Sequence, residues 1–92
     1  MTDKFRQAVI TFVNCNEKIA RAAEAAKKNI DKWPLEKLKT TERICKDLAN
    51  QREAARKIIF DDSIEKEDFT KEEADWVLEK LEPYVKINRV YS

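Results

Sequence analysis

The sequence predicts an all-α protein: a long antiparallel helical hairpin, a shorter third helix and a non-helical C-terminal tail. Three observations support this fold class. The 92 residues include no Gly and only two Pro, whereas sheet proteins depend on turns that Gly favours. Charged residues make up 40% and hydrophobic residues 42%, a balance typical of amphipathic helices. Apolar residues in the first third recur about every 3.5 residues, as in packed helices.

Helix one is predicted over residues 1–33, between an N-cap at Thr2 and the proline that follows. Nine of its positions follow the 4,3 spacing of a coiled-coil or helical-hairpin seam: Phe5, Val9, Phe12, Asn16, Ile19, Ala23, Ala26, Ile30 and Trp33. Asn16 is the polar member. Within such a seam, a polar residue sets register or partner number rather than adding stability.

Helix two is predicted over residues 34–60, with its proline in the first turn. The short connection predicts that helix two folds back antiparallel onto helix one. In that register Asn16 lies opposite Gln51 and Arg52, which interrupt the apolar pattern of helix two. We therefore predict a polar layer of these three residues. In the alternative, Arg52 extends into solvent and Asn16 lies at the edge of the hairpin.

An acidic connector is predicted over residues 61–69 and helix three over residues 70–82. Helix three opens with a T-x-x-E capping box formed by Thr70 and Glu73. It is about half as long as either hairpin helix and cannot cover their whole apolar face. The resulting three-helix bundle would be completed by dimerisation or by another protein. The alternative is a monomeric bundle with thinly covered ends.

The tail, residues 83–92, is β-branched and aromatic and has no helical period. Such a segment either packs along its own bundle or docks on a partner. Tyr and Arg are frequent in interface hot spots. The predicted partner-binding residues are Tyr84, Lys86, Ile87, Arg89, Val90 and Tyr91.

Charge is uneven along the chain although its net value is +1. Residues 1–60 carry 14 Lys and Arg against 8 Asp and Glu, whereas residues 61–82 carry 3 against 10. A basic hairpin allows a nucleic-acid interface as an alternative function. Its contacts would be Lys27, Lys28, Lys32, Lys37, Lys39, Arg43 and Lys46. Interleaved acidic residues argue against this alternative, because such mixed faces are typical of solvated helices.

Composition argues against an enzyme, a metal site or a bound cofactor. The chain has no His, the commonest general base and metal ligand, and no Gly for a phosphate-binding loop. Cys15 and Cys45 are predicted to be small apolar residues that are too far apart for a disulfide. The sequence has neither a membrane-spanning stretch nor a signal peptide, which predicts a cytoplasmic protein.

These patterns predict a non-enzymatic protein-interaction module, a homodimer that acts as a regulator, adaptor or inhibitor of a larger protein. An origin in a phage or another mobile element is suggested by composition alone. The alternatives are the nucleic-acid-associated protein and a purely structural helical oligomer.

Overall fold

The computed structural model describes residues 1–63 and 68–84, with backbone only for residues 61–63. It contains three α-helices: α1 (Asp3–Lys28), α2 (Leu35–Lys57) and α3 (Lys71–Leu81). A π-helix over Ile58–Ser63 continues α2. The predicted all-α class is confirmed, and there is no strand in the part of the chain that the structure describes.

The first helix begins where the sequence predicts and ends earlier. Thr2 is the N-cap, and its Oγ1 accepts a hydrogen bond from the Phe5 amide at 3.2 Å. The prediction that helix one continues to residue 33 is wrong, because α1 ends at Lys28. Asn29 explains the difference, since its Nδ2 donates to the Ala25 carbonyl at 2.8 Å. A side chain that hydrogen-bonds the helix carbonyls offers the backbone an alternative to continuing the helix.

The second helix also differs at its end. It begins at Leu35, directly after Pro34, and changes at Ile58 from α-helix to π-helix. The chain is thus helical through residue 60 as the sequence predicts, but its last three residues there belong to the π-helix. A π-turn adds one residue per turn, and so it rotates the side chains that follow. Ile59 is fully buried there, while the Phe60 ring packs edge-on against a ring of α1.

The capping box of α3 is confirmed. Thr70 Oγ1 accepts from the Glu73 amide at 3.2 Å, and Glu73 Oε1 accepts from the Thr70 amide at 3.1 Å. The Met1 ammonium lies 3.1 Å from Glu73 Oε2. The Thr70 amide, followed by this ammonium, holds the pKa of Glu73 below its ordinary value of 4.5. Just before the box, the Phe69 ring meets Phe5 edge-on at 5.3 Å.

The hydrophobic core lies at one end of an elongated molecule. Its buried members are Phe5, Ala8, Val9, Phe12, Ala55, Ile59, Val77 and Leu81. All come from the first half of α1, the end of α2 with its π-helix, and α3. The molecule measures 50 × 26 × 19 Å, and its radius of gyration is 16.3 Å. A compact chain of this length would have a radius of gyration of about 12 Å. One end of the hairpin therefore extends beyond the core.

Candidate partner-binding surface

The end of the hairpin nearest the turn, the distal half (residues 19–48), has no fully buried side chain. It consists of the second half of α1, the connecting turn and the first half of α2, and α3 does not reach it. The seam predicted in α1 is therefore divided: Phe5, Val9 and Phe12 are buried, whereas Ala23 and Ile30 are exposed. The predicted burial of Ile30 is wrong because no third helix covers this half.

Three large apolar side chains of the distal half face solvent. Ile30 is 63% exposed, Leu35 is 65% exposed and Ile44 is 49% exposed. Leu35 and Ile44 of α2 are uncovered for the same reason as Ile30. Ile30 and Leu35 lie at the turn, and exposed aliphatic side chains of this kind in a small protein are typical of an interaction surface.

The turn itself forms a tip (residues 29–35) with an aromatic centre. Trp33 is half-buried, and the Lys37 Nζ lies 4.2 Å from the centre of its ring. A cation at this distance from an indole face is held electrostatically. Lys32 and Trp33 donate their backbone amides to the Asn29 carbonyl at 2.9 and 2.8 Å, which closes the turn. The tip thus presents Ile30 and Leu35 on an ordered turn.

The basic residues proposed for nucleic-acid contact flank this tip in the sequence, and several of them contact other side chains. Lys28 pairs with Glu24 at 3.4 Å and Lys46 with Glu42 at 3.2 Å, both along the helix surface. Lys37 is engaged with the Trp33 ring. The other members are exposed, and within the described residues they form no ion pair: Lys27, Lys32, Lys39 and Arg43.

The structure brings two of the three proposed polar-layer residues together. Arg52 Nη1 donates to Asn16 Oδ1 at 3.1 Å, and Asn16 Nδ2 donates to the Phe12 carbonyl at 2.9 Å. Both side chains are half-buried between α1 and α2. Gln51 is exposed and lies outside this contact, at the edge of a groove between the two helices. Asn16 and Arg52 therefore mark the boundary between the core and the distal half.

That groove was not anticipated from the sequence. It encloses about 370 Å³ and is lined by Lys4, Gln7, Ala8, Thr11, Gln51, Ala54, Ala55 and Ile58. The small side chains of Ala8, Ala54 and Ala55 leave this space open. Alanines on the facing sides of two helices are the sequence feature from which such a groove could have been predicted. The sequence also gave no indication that the Arg6 guanidinium lies 5.6 Å from the centre of the Trp76 ring.

Of the tail residues proposed to bind a partner, Tyr84 lies within the described part of the chain. Its hydroxyl donates to Glu17 Oε1 at 3.4 Å, and its ring meets Phe12 edge-on at 6.3 Å. Desolvation, and then the Glu17 carboxylate, raise the pKa of Tyr84 above its ordinary value of 10.0. Tyr84 thus contacts α1 of its own chain. The other proposed tail residues lie outside the described residues: Lys86, Ile87, Arg89, Val90 and Tyr91.

The two cysteines form no disulfide with each other. Both cysteines are free, Cys15 buried and Cys45 half-buried. Among the residues described, no group of three or more His, Cys, Asp or Glu side chains is arranged to hold a metal ion. No helix within residues 1–63 and 68–84 has the length and apolar character needed to cross a membrane. No family model matches the sequence, and comparisons with curated proteins and with solved structures find no significant match.

Proposed function

We propose that this chain is a non-enzymatic protein-interaction module of the cytoplasm, which binds a larger protein through the tip of its hairpin. The observation that supports this proposal is the exposure of Ile30 and Leu35, at 63% and 65%, on a turn held in place by Trp33 and Lys37. Covering exposed apolar surface with a partner lowers the free energy, and an ordered turn loses little conformational entropy in the process.

The charges around the tip indicate the chemistry of the partner. Lys27, Lys32 and Lys39 are exposed and lie close to Ile30 and Leu35 in the sequence, where they outnumber the exposed Asp31 and Glu36. An apolar middle with a charged rim is common in protein interfaces. The partner surface that fits is an apolar pocket with acidic residues at its edge. A regulator, adaptor or inhibitor would all use such a contact.

A pull-down from native lysate tests this proposal. Full-length chain immobilised through a label should retain a specific protein, and Leu35→Gln or Ile30→Gln should reduce its recovery at least tenfold. Ile10→Gln is the matched control, because Ile10 is 37% exposed but lies near the core end of α1. Equal recovery by the tip variants and the wild type would overturn the proposed role of the tip.

Nucleic-acid binding is the second candidate, favoured by the exposure of Lys27, Lys32, Lys39 and Arg43. Phosphate contacts make affinity fall steeply as salt rises. A gel-shift series with duplex DNA and RNA at low salt, repeated with Lys39→Gln and Arg43→Gln, tests this alternative. The absence of any shift at low salt would eliminate it.

A further inference from the structure

The groove between α1 and α2 opens on the side of the hairpin turned away from α3. On α1 it is lined by Lys4, Ala8 and Thr11. Two α1 residues lie near Trp76 of α3. The Arg6 guanidinium lies over the Trp76 ring, and Val13 lines a small pocket together with Trp76. At about 100° per residue these two sets lie roughly half a helical turn apart. No described residue of α3 lines the groove, so α3 leaves it uncovered.

An exposed apolar side chain lies on this same side of the hairpin, farther toward the tip. Ile44, Gln51 and Ile58 follow one another at intervals of seven residues on α2 and its continuation, so they share one face. Gln51 and Ile58 line the groove, whereas Ile44 is 49% exposed beyond its end. The rise of about 1.5 Å per residue separates Ile44 from Ala55 by roughly 16 Å.

A groove and an exposed apolar side chain on one face can complement each other between two copies of the chain. A two-fold axis crossing α2 between Ala49 and Asn50 relates the position of Ile44 to that of Ala55. Both copies then place Ile44 against the small side chains of the other copy's groove. In such an isologous interface both copies use the same patch, so the two-fold axis makes each contact twice. Two-fold dimers are the commonest closed oligomers.

The charge distribution favours the antiparallel arrangement that this axis generates. The distal half carries eight Lys and Arg against five Asp and Glu, a net charge of +3. Residues 68–82, which include α3 at the opposite end, carry six Asp and Glu against two Lys, a net charge of −4. An antiparallel pair brings each basic distal half to the same end of the dimer as the other copy's acidic α3, which lies on the outer side of its hairpin. A parallel pair would bring like charges together.

We propose that this chain forms an antiparallel two-fold dimer in which Ile44 of each copy packs into the groove formed by Ala8, Ala54 and Ala55 of the other. The inference deepens the proposed function, on which it rests, by naming a second copy as one partner of the uncovered hairpin. Leu35 precedes Ile44 by nine residues, which places it on the opposite side of α2. The tip therefore stays accessible in the dimer.

Light scattering coupled to size-exclusion chromatography tests the dimer at chain concentrations from about 1 to 100 µM, the range in which dimers of modest affinity form. The wild type should be dimeric at the upper end. Ile44→Glu and Ala54→Glu should be monomeric there, with unchanged helical circular dichroism, because both positions are exposed. Ile10→Glu should remain dimeric. A monomeric wild type at the highest concentration would overturn the inference.

Disulfide trapping tests the orientation. In a background carrying Cys15→Ala and Cys45→Ala, chains with Ile44→Cys should cross-link to chains with Ala54→Cys when the two are mixed. Predominant pairing of Ile44→Cys chains with one another would indicate a parallel dimer and overturn the antiparallel arrangement.

The two proposals fail separately. A wild type that is monomeric but captures a protein through Leu35 leaves the proposed function standing and overturns the dimer. A wild type that is dimeric and captures nothing supports the dimer and overturns the tip as a docking site for a larger protein. Repeating the pull-down with Ile44→Glu shows whether capture depends on dimerisation.

Discussion

The Arg52 guanidinium donates a hydrogen bond to the side-chain oxygen of Asn16 across the two long helices, at 3.1 Å. This contact links residues 36 positions apart and lies where the buried core gives way to the exposed distal half. Asn16 also donates to the Phe12 carbonyl on its own helix. The contact from Arg52 favours this register of the hairpin, because a shift of the helices would separate the Asn16 oxygen from its donor.

Removing the Arg52 donor should destabilise the protein modestly. We expect Arg52→Met, which retains much of the aliphatic stem, to lower the free energy of unfolding by about 1–2 kcal/mol. Urea denaturation monitored by circular dichroism measures the change. Gln51→Met is the matched control, since this neighbouring side chain is exposed and lies outside the contact. An Arg52→Met variant as stable as the control would show that the hydrogen bond contributes nothing to folding.

Two isoleucines of α2 and its continuation should respond in opposite ways to truncation. Ile59 is fully buried, so Ile59→Ala should cost about 2–5 kcal/mol through lost burial and a residual cavity. Ile44 is 49% exposed, so Ile44→Ala should change the stability of the isolated chain by less than about 0.5 kcal/mol. Urea denaturation at low micromolar concentration, where a dimer contributes least, provides the comparison. A large cost for Ile44→Ala there would contradict the described exposure of this side chain.

Acid should weaken the attachment of α3 through Glu73. The pKa of this carboxyl is lowered in the folded protein by the Thr70 amide and the Met1 ammonium. A group with a depressed folded pKa contributes stability above its unfolded pKa and loses that contribution as pH falls through the folded value. The free energy of unfolding should therefore decrease as pH falls from about 5 to 3, and Glu73→Gln should flatten this dependence.

Glu72→Gln provides the control for that experiment, because it removes a carboxyl from the same helical turn but outside the capping box. It should keep the slope of the wild type. Glu53 adds to the acid dependence in the same pH window, since a hydrogen bond from Arg56 lowers its pKa. If the free energy of unfolding varied with pH equally in Glu73→Gln and Glu72→Gln, Glu73 would not be the source of the acid dependence.

Alkali should release Tyr84 from α1. Its pKa is raised above 10.0 by desolvation and by the Glu17 carboxylate, which accepts a hydrogen bond from its hydroxyl. A group with a raised folded pKa contributes stability below its unfolded pKa, and the contribution disappears as pH rises through the folded value. Ultraviolet titration in a Tyr91→Phe background should show one phenol that ionises above its ordinary range. Glu17→Gln should move that ionisation toward 10, and an unchanged titration would contradict the contact.

Several elements followed from local chemistry that the sequence displays directly. The Thr2 cap, the capping box of Thr70 and Glu73, and the return of helix two after Pro34 depend on residues near one another in the chain. The meeting of Asn16 with Arg52 followed from pairing two interruptions of a periodic pattern. The end of α1 did not follow, because the Asn29 side chain competes with the helix by a hydrogen bond that periodicity does not register.

The sequence by itself determined the helical class, the short third helix and the unequal charge of the two ends, since these depend on composition, period and capping. Only the tertiary structure decided which apolar residues are covered. Ile59 and Ile44 lie on similar patterns in the same stretch of chain, yet one is fully buried and the other is half exposed. Burial is a property of what packs against a face, and a periodic pattern specifies the face without specifying its neighbour. The position of α3 beside the core end leaves the distal half of the hairpin uncovered by α3.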